Sequence, residues 1–204
     1  PKQIDCLYPY KELSGCGVGF KLIQAYCQKF KIPFVKIIPY LDLLVVSIAA
    51  DIVPITGENR ILAHYGLQQL NENPRIGLKA LMEVSDRYKS FTISDVIFGL
   101  APRINAAGRI EHGVKAVELM VQEDIELAKE KAQTVNQHNL KRRELDQSIT
   151  EEALQMIVTD AKSTVVFHPD WHKGVVGIVA SRLIELHYRP TIVLTENNGK
   201  LVGS

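Results

Sequence analysis

Between Glu123 and Val158 the chain carries neither proline nor glycine, and this unbroken stretch limits the fold more than any other feature. It predicts a single helix on the order of 50 Å long. Its register says more. Ile125, Ala128, Ala132, Val135, Asn139, Arg142, Asp146, Ile149, Ala153 and Met156 recur three and four apart. The stripe is apolar at both ends and polar in the middle. A helix that packs on one domain, crosses a gap and packs on another reads this way. A coiled-coil seam would not be broken over three positions.

The segments on either side supply the rest of the architecture. STVVFHP reads as a strand, the stretch from Trp171 as a helix, PTIVLTEN as a second strand and KLVGS as the start of a third. Strand, helix and strand in that order open an α/β unit near Ala161. On the other side, residues 11–30 read as a glycine turn feeding an amphipathic helix. Gly15, Gly17 and Gly19 match neither the dinucleotide fingerprint nor the P-loop. Residues 38–60 open with Pro39, which favours a buried helix, and the apolar run ends in Asp51. A carboxylate there either caps a neighbouring backbone or binds a metal, and the cap is the plainer reading. Residues 58–70 and 75–86 predict two short helices broken at Asn73-Pro74. Residues 91–113 predict a helix capped by Ser94 and ended near Pro102, followed by a loop, PRINAAGR. The expected fold is α/β, two partial lobes joined by the long helix.

Bulk properties narrow the function. The 204 residues are 46% hydrophobic and 23% charged, with a net charge of +1. Nothing global demands a polyanionic partner, so nucleic-acid binding needs a local patch. Cys6, Cys16 and Cys27 form no CxxC pair, which fits a reduced, cytoplasmic setting without a zinc site or disulfide framework. The apolar run from Leu43 to Ala50 is too short to span a bilayer, so no membrane is expected.

Two stretches carry candidate chemistry. PRINAAGR sets Arg103, Asn105 and Arg109 among small residues, a composition suited to close approach of an anion. Two surface arginines on a turn are the bland alternative. HPDWHKGVVGIVASRL (168–183) places Trp171 and two histidines before a glycine-containing helix. Asp170 fits an N-cap, which puts the first free N–H groups near His172 and Lys173. Gly174, Gly177 and Ser181 then fall on one narrow face, and a phosphate can sit at such a helix start. A tightly packed strand–turn–helix with a surface histidine explains the same residues equally well.

Five segments in order, SGCGVGFKL, AADIVPITGENR, PRINAAGR, NLKRREL…EEA and WHKGVVGIVASRL, resemble the DHH phosphoesterase superfamily, and within it the RecJ family of 5′→3′ exonucleases specific for single-stranded DNA. The closing LVGS is similar to the start of that family's glycine–serine–glycine–arginine–serine motif. The resemblance implies the C-terminal part of a DHH catalytic lobe over residues 1–122, a connecting helix over 123–158 and the start of a DHH-associated substrate-binding lobe over 159–204. It implies Asp51 as a catalytic metal ligand, for Mn2+ or else Mg2+. It also implies Arg103, Asn105, Arg109, His172 and Ser204 as phosphate contacts, with His172 facing the scissile phosphate from the second lobe. The substrate implied is single-stranded DNA, the setting DNA repair and recombination, with repair-protein partners unspecified.

The Asp-His-His triplet is absent from the chain, and one carboxylate cannot hold a two-metal centre. The chain by itself is therefore expected to be an inactive piece of the enzyme. The alternatives are a DHH phosphodiesterase of short oligoribonucleotides or cyclic dinucleotides, and a non-catalytic nucleic-acid-binding module. Aromatic residues at 7% are few for the stacking platforms of a pure single-strand binder.

Overall fold

The structure is a computed structural model and describes residues 1–85 and 90–204. Contacts divide it into two compact units, one of Pro1–Asn105 with Gly113–Asn136, the other of Ala106–His112 with Gln137–Ser204. These borders differ from the expected ones at 122 and 158.

The first unit is built around its most apolar helix. Helix α1 (Gly15–Lys29) starts at Ser14, whose hydroxyl accepts from Gly17 N–H at 3.1 Å. The glycine cluster is thus a helix start, as its sequence suggests. Two short 3₁₀ turns then lead into α2 (Leu41–Ala50). Pro39 falls in the second turn, where its missing N–H costs nothing. Leu44, Val45 and Ile48 of α2 are buried, and α1 and α3 (Gly57–Glu72) flank it. Asp42, also buried, is gripped by Arg75, whose Nε and Nη2 donate at 3.0 and 2.8 Å. A buried carboxylate is tolerated when it is bonded this fully.

Helix α4 (Ile76–Glu83) follows the break at Asn73-Pro74; its expected end at residue 86 lies outside the described residues. The one-turn α5 (Ile93–Asp95) is capped by Thr92, not by Ser94. Thr92 stands three residues before Asp95, the spacing at which hydroxyl and carboxylate bond each other's backbone N–H reciprocally. A π turn over Val96–Leu100 runs on into α6 (Ala101–Ile110). PRINAAGR is therefore helix and not loop. Ala101 N–H reaches back to Val96 O, and this wider turn sets Pro102 in the first turn of the new helix, where no N–H is required. Helix α7 (Val114–Met120) and the beginning of α8 (Ile125–Gln155) complete this unit. Among the described residues it holds helices and turns only.

The second unit holds the sheet. Strands β1 (Thr164–Phe167) and β2 (Thr191–Asn197) run parallel, connected by α9 (Val176–Leu186), and β3 (Lys200–Gly203) returns antiparallel on β2. Ser204 extends the register, its N–H and C=O both bonded to Val193. One face of the sheet and α9 enclose a core of Val166, Val193, Val179 and Leu183, joined by Trp171 and by Ile149 and Ala153 of α8.

The stripe on α8 is buried from Ala128 to Ala153 except at half-buried Arg142, while Ile125 and Met156 at its ends are exposed. Its polar middle does not cross a solvated gap. Asn139 and Asp146 are buried, and Asp146 is paired with Arg182 of α9 at 2.8 Å. Through Oδ2 the Asp146 charge is offset by arginine, while its buried Oδ1 has no hydrogen-bond partner among the described residues. No helix of the described residues is long and apolar enough to cross a membrane.

Candidate functional site

The turn before α9 is where the second unit exposes its chemistry. It is held from three sides. Trp171 is buried, and its Nε1–H donates to Glu152 on α8 at 2.8 Å. The Thr195 hydroxyl, inside the sheet, shares its one proton between the carbonyls of Trp171 and Pro169, at 2.6 and 3.1 Å. His168 stacks on Trp171 and accepts from Asp170 N–H through Nδ1. Asp170 is thus no N-cap. Helix α9 begins only at Val176, with Val175 as its uncapped N-cap. His172, Lys173 and Gly174 precede the helix, so the free N–H groups of its first turn do not fall at His172 and Lys173 as expected.

Gly174 has a steric reason. A Cβ there would lie 2.1 Å from the carbonyl oxygen of Arg109, a contact that no side chain permits. The body that comes close is the C-terminus of α6, not a ligand. The contact joins residues 65 positions apart, and Arg109 Nη1 also reaches the Gly174 carbonyl at 3.4 Å. Gly177, in the first turn of α9, is different. A Cβ there would be 3.5 Å from Ser204 Cβ, an ordinary contact.

These approaches outline an open cleft of 640 Å³ within the second unit, lined by Arg109, His172, Lys173, Gly177, Asn197 and Ser204 among others. Arg109 and Ser204 are exposed and His172 is half-buried. His172 Nδ1 accepts from Gly174 N–H at 3.1 Å. In the neutral ring the proton is therefore on Nε2, leaving that nitrogen as a donor. Desolvation, then the charges of Lys141 and Lys173, hold the His172 pKa below its ordinary value. The ring thus sits in a positive field. The cleft's one acid, Glu111, faces His138 at 3.5 Å.

The other candidates lie in the first unit. Arg103 is committed to the protein: Nε donates to Asn136 Oδ1 at 2.8 Å and Nη1 to the Gly99 carbonyl at 2.6 Å. It braces the π turn against α8. Asn105 is exposed. The unit border after Asn105 splits PRINAAGR, so Arg109 falls in the same contact unit as His172. Asp51 is the C-cap residue of α2, exposed, with Ser47 Oγ donating to its Oδ2 at 3.2 Å. Burial first and the Asp51 charge second push the neighbouring Cys16 thiol up. No group of three His, Cys, Asp or Glu among the described residues could hold a metal. Asp51 can offer one ligand, and the residues present do not make a metal centre.

Sequence reasoning missed Lys141, Asn197 and the arginines around Asp146. The signal for the last was present: Arg142 and Asp146 are four apart on the stripe, the spacing of a helical ion pair.

The chain aligns along its whole length with proteins named single-stranded-DNA-specific exonuclease RecJ. It is 40% identical to that of Bacillus subtilis, covering 26% of the relative, and 34% identical to that of Escherichia coli, covering 39%. It therefore spans roughly a quarter to two fifths of the curated relatives it matches. Among solved structures, RecJ of Thermus thermophilus in complex with Mg2+ superposes with a TM-score of 0.85 at 32% identity, over 93% of this chain and 30% of that one. An exonuclease RecJ bound to manganese gives the same score at 34% identity, over 93% and 49%. No protein-family profile matches the chain.

Proposed function

Since the chain belongs to the RecJ family, we propose that the protein containing it is a metal-dependent exonuclease that degrades single-stranded DNA from the 5′ end. In that protein, residues 1–122 are the C-terminal part of the DHH catalytic lobe, 123–158 the connecting helix and 159–204 the start of the substrate-binding lobe. The observation that carries the reading is the convergence of Arg109, His172 and Ser204 on one basic cleft. These residues come from three of the family-like segments, far apart in the chain, and line one recess.

The chain's own residues hold the phosphate. Arg109 presents a guanidinium fork to two non-bridging oxygens. Neutral His172 donates from Nε2, and Ser204 Oγ offers a further hydrogen bond. Lys173 and Lys141 raise the local positive potential, which draws the strand in and keeps the phosphodiester anion bound. Asn105 contacts the strand, and Arg103 acts by keeping the start of α6 in place. Asp51 contributes one ligand to a divalent-metal centre, for Mn2+ in preference to Mg2+, with the other ligands outside this chain. Repair and recombination of DNA in the cytoplasm is the setting this activity serves, in keeping with three free cysteines.

The test is digestion and binding of 5′-labelled single strands by the intact protein. Arg109→Ala should slow digestion at least tenfold, on the order of one charge-assisted bond. It should also flatten the dependence of log affinity on log salt by about 0.7, one phosphate contact on a single strand. An unchanged salt slope together with an unchanged rate would remove Arg109 from the site. A wild-type protein that digests short oligoribonucleotides and spares DNA would replace the substrate.

A further inference from the structure

Around Asp146 the second unit holds more arginine than its carboxylates neutralise. Asp146 is fully buried, and its Oδ2 takes Arg182 Nη2 at 2.8 Å and Arg142 Nη1 at 3.7 Å. Arg142 is fixed a second time through Asn139 Oδ1, at 3.0 Å. Two guanidiniums on one carboxylate leave a net positive charge. Beside them, Arg143 is exposed and has no hydrogen bond or ion pair among the described residues. The three side chains line a recess of 550 Å³ between α8 and α9, in which Glu144 is the one acid. Each guanidinium has five N–H donors. Arg182 spends one on a hydrogen bond, Arg142 one, and Arg143 none, so several are left to converge on an anion.

The electrostatics agree with the geometry. Burial first, then the fields of Arg143, Arg109 and Arg182, lower the Arg142 pKa against the pull of Asp146. The field of Arg109 therefore reaches Arg142, so the cations of the recess and of the cleft add to one positive potential.

We propose that Arg142, Arg143 and Arg182 form a second phosphate subsite, which takes an internal backbone phosphate of the strand whose end lies in the Arg109–His172 cleft. The inference rests on the reading of that cleft as a strand-binding site. Planar guanidiniums match phosphate oxygens in pairs. A nucleic-acid strand supplies one such anion at each nucleotide, and so fills successive basic sites as a single ligand. Asp146 is the positioning residue: it orients two of the three arginines and is itself out of reach.

The intact protein tests this with oligothymidylates. Arg143→Gln is the first variant, because that side chain makes no contact whose loss would disturb folding. Binding of a strand about twelve nucleotides long should weaken about fivefold at low salt, and its salt slope should flatten by about 0.7. Dithymidylate, with a single internal phosphate, should lose less affinity than the long strand. Arg182→Lys keeps a cation on Asp146 without the fork, and should weaken the long strand while the melting temperature holds. Equal slopes for wild type and Arg143→Gln on the long strand overturn the subsite. A loss confined to thymidine 5′-monophosphate also overturns it, by assigning the arginines to a free nucleotide. Wild-type protein that binds no single strand at all brings down the reading of the cleft, and the subsite with it.

Discussion

His172 shows how a single ring can be legible by identity and illegible by environment. Its place in HPDWHKG marks it from sequence, but its tautomer depends on Gly174 N–H, and its pKa on burial first and then on Lys141, 31 positions earlier. That pKa is lowered from the ordinary 6.5, so the unfolded chain holds a proton that the folded chain has released. Stability must then rise with pH between the lowered folded value and 6.5, and be lost as pH falls through that window. His172→Gln should remove this increment. Urea midpoints of wild type and variant, taken on both sides of 6.5, check it: a variant with the same pH dependence as wild type would show His172 titrating normally. Gly174 teaches the complementary lesson. Its glycine invites a ligand on sequence grounds, and the structure gives the space to the Arg109 carbonyl. No local pattern reveals a neighbour that arrives from 65 positions away.

At the scale of elements, the helices with long uninterrupted patterns were readable, and so were the strands. Helix α8 and the three strands stand close to where their periodicity puts them. The errors cluster where one element hands over to the next. Pro102 ends a helix by the usual rule, yet here a π turn absorbs it and α6 continues. Such a turn has no simple signature in the chain. Asp170 has the chemistry of a cap, but Thr195 and Glu152 hold the neighbouring turn away from helical geometry. The junction of α6 with this turn is tight enough to predict a cost. Gly174→Ala drives a Cβ against a backbone oxygen, and backbone yields less readily than a side chain. Overpacking of this kind costs about 2 kcal/mol, so the melting temperature should drop by several degrees, and strand affinity should drop with it through Arg109. A variant as stable and as tight-binding as wild type would mean that the two segments part without penalty.

For the whole molecule, the balance of 24 basic against 23 acidic residues hides a local excess. A net charge of +1 calls for no polyanionic partner, while the proposed site draws on a few cations gathered from α6, α8, the turn and α9. The family-like segments contain all of them, but a role was legible only for Arg109 and His172; the pairing of Arg142 and Arg182 on Asp146, with Arg143 beside them, needed the fold. The chain also spans a quarter to two fifths of its relatives, and among the described residues no group of three His, Cys, Asp or Glu could hold a metal. Purified alone, it should show the circular dichroism of a helix-rich protein yet leave labelled single strands intact with manganese present. Metal-dependent digestion in proportion to the pure chain would place a complete catalytic centre within these residues. The contact of Gly174 with Arg109 bears, finally, on the order of assembly. Residues 164–204 can pair their strands and pack α9 through near neighbours, but His172 faces a finished cleft only after Ala106–His112 has docked from far upstream. Closing so long a loop is entropically slow. The binding surface is thus among the last parts of its unit to mature, and a chain emerging from the ribosome displays its basic residues well before it can use them.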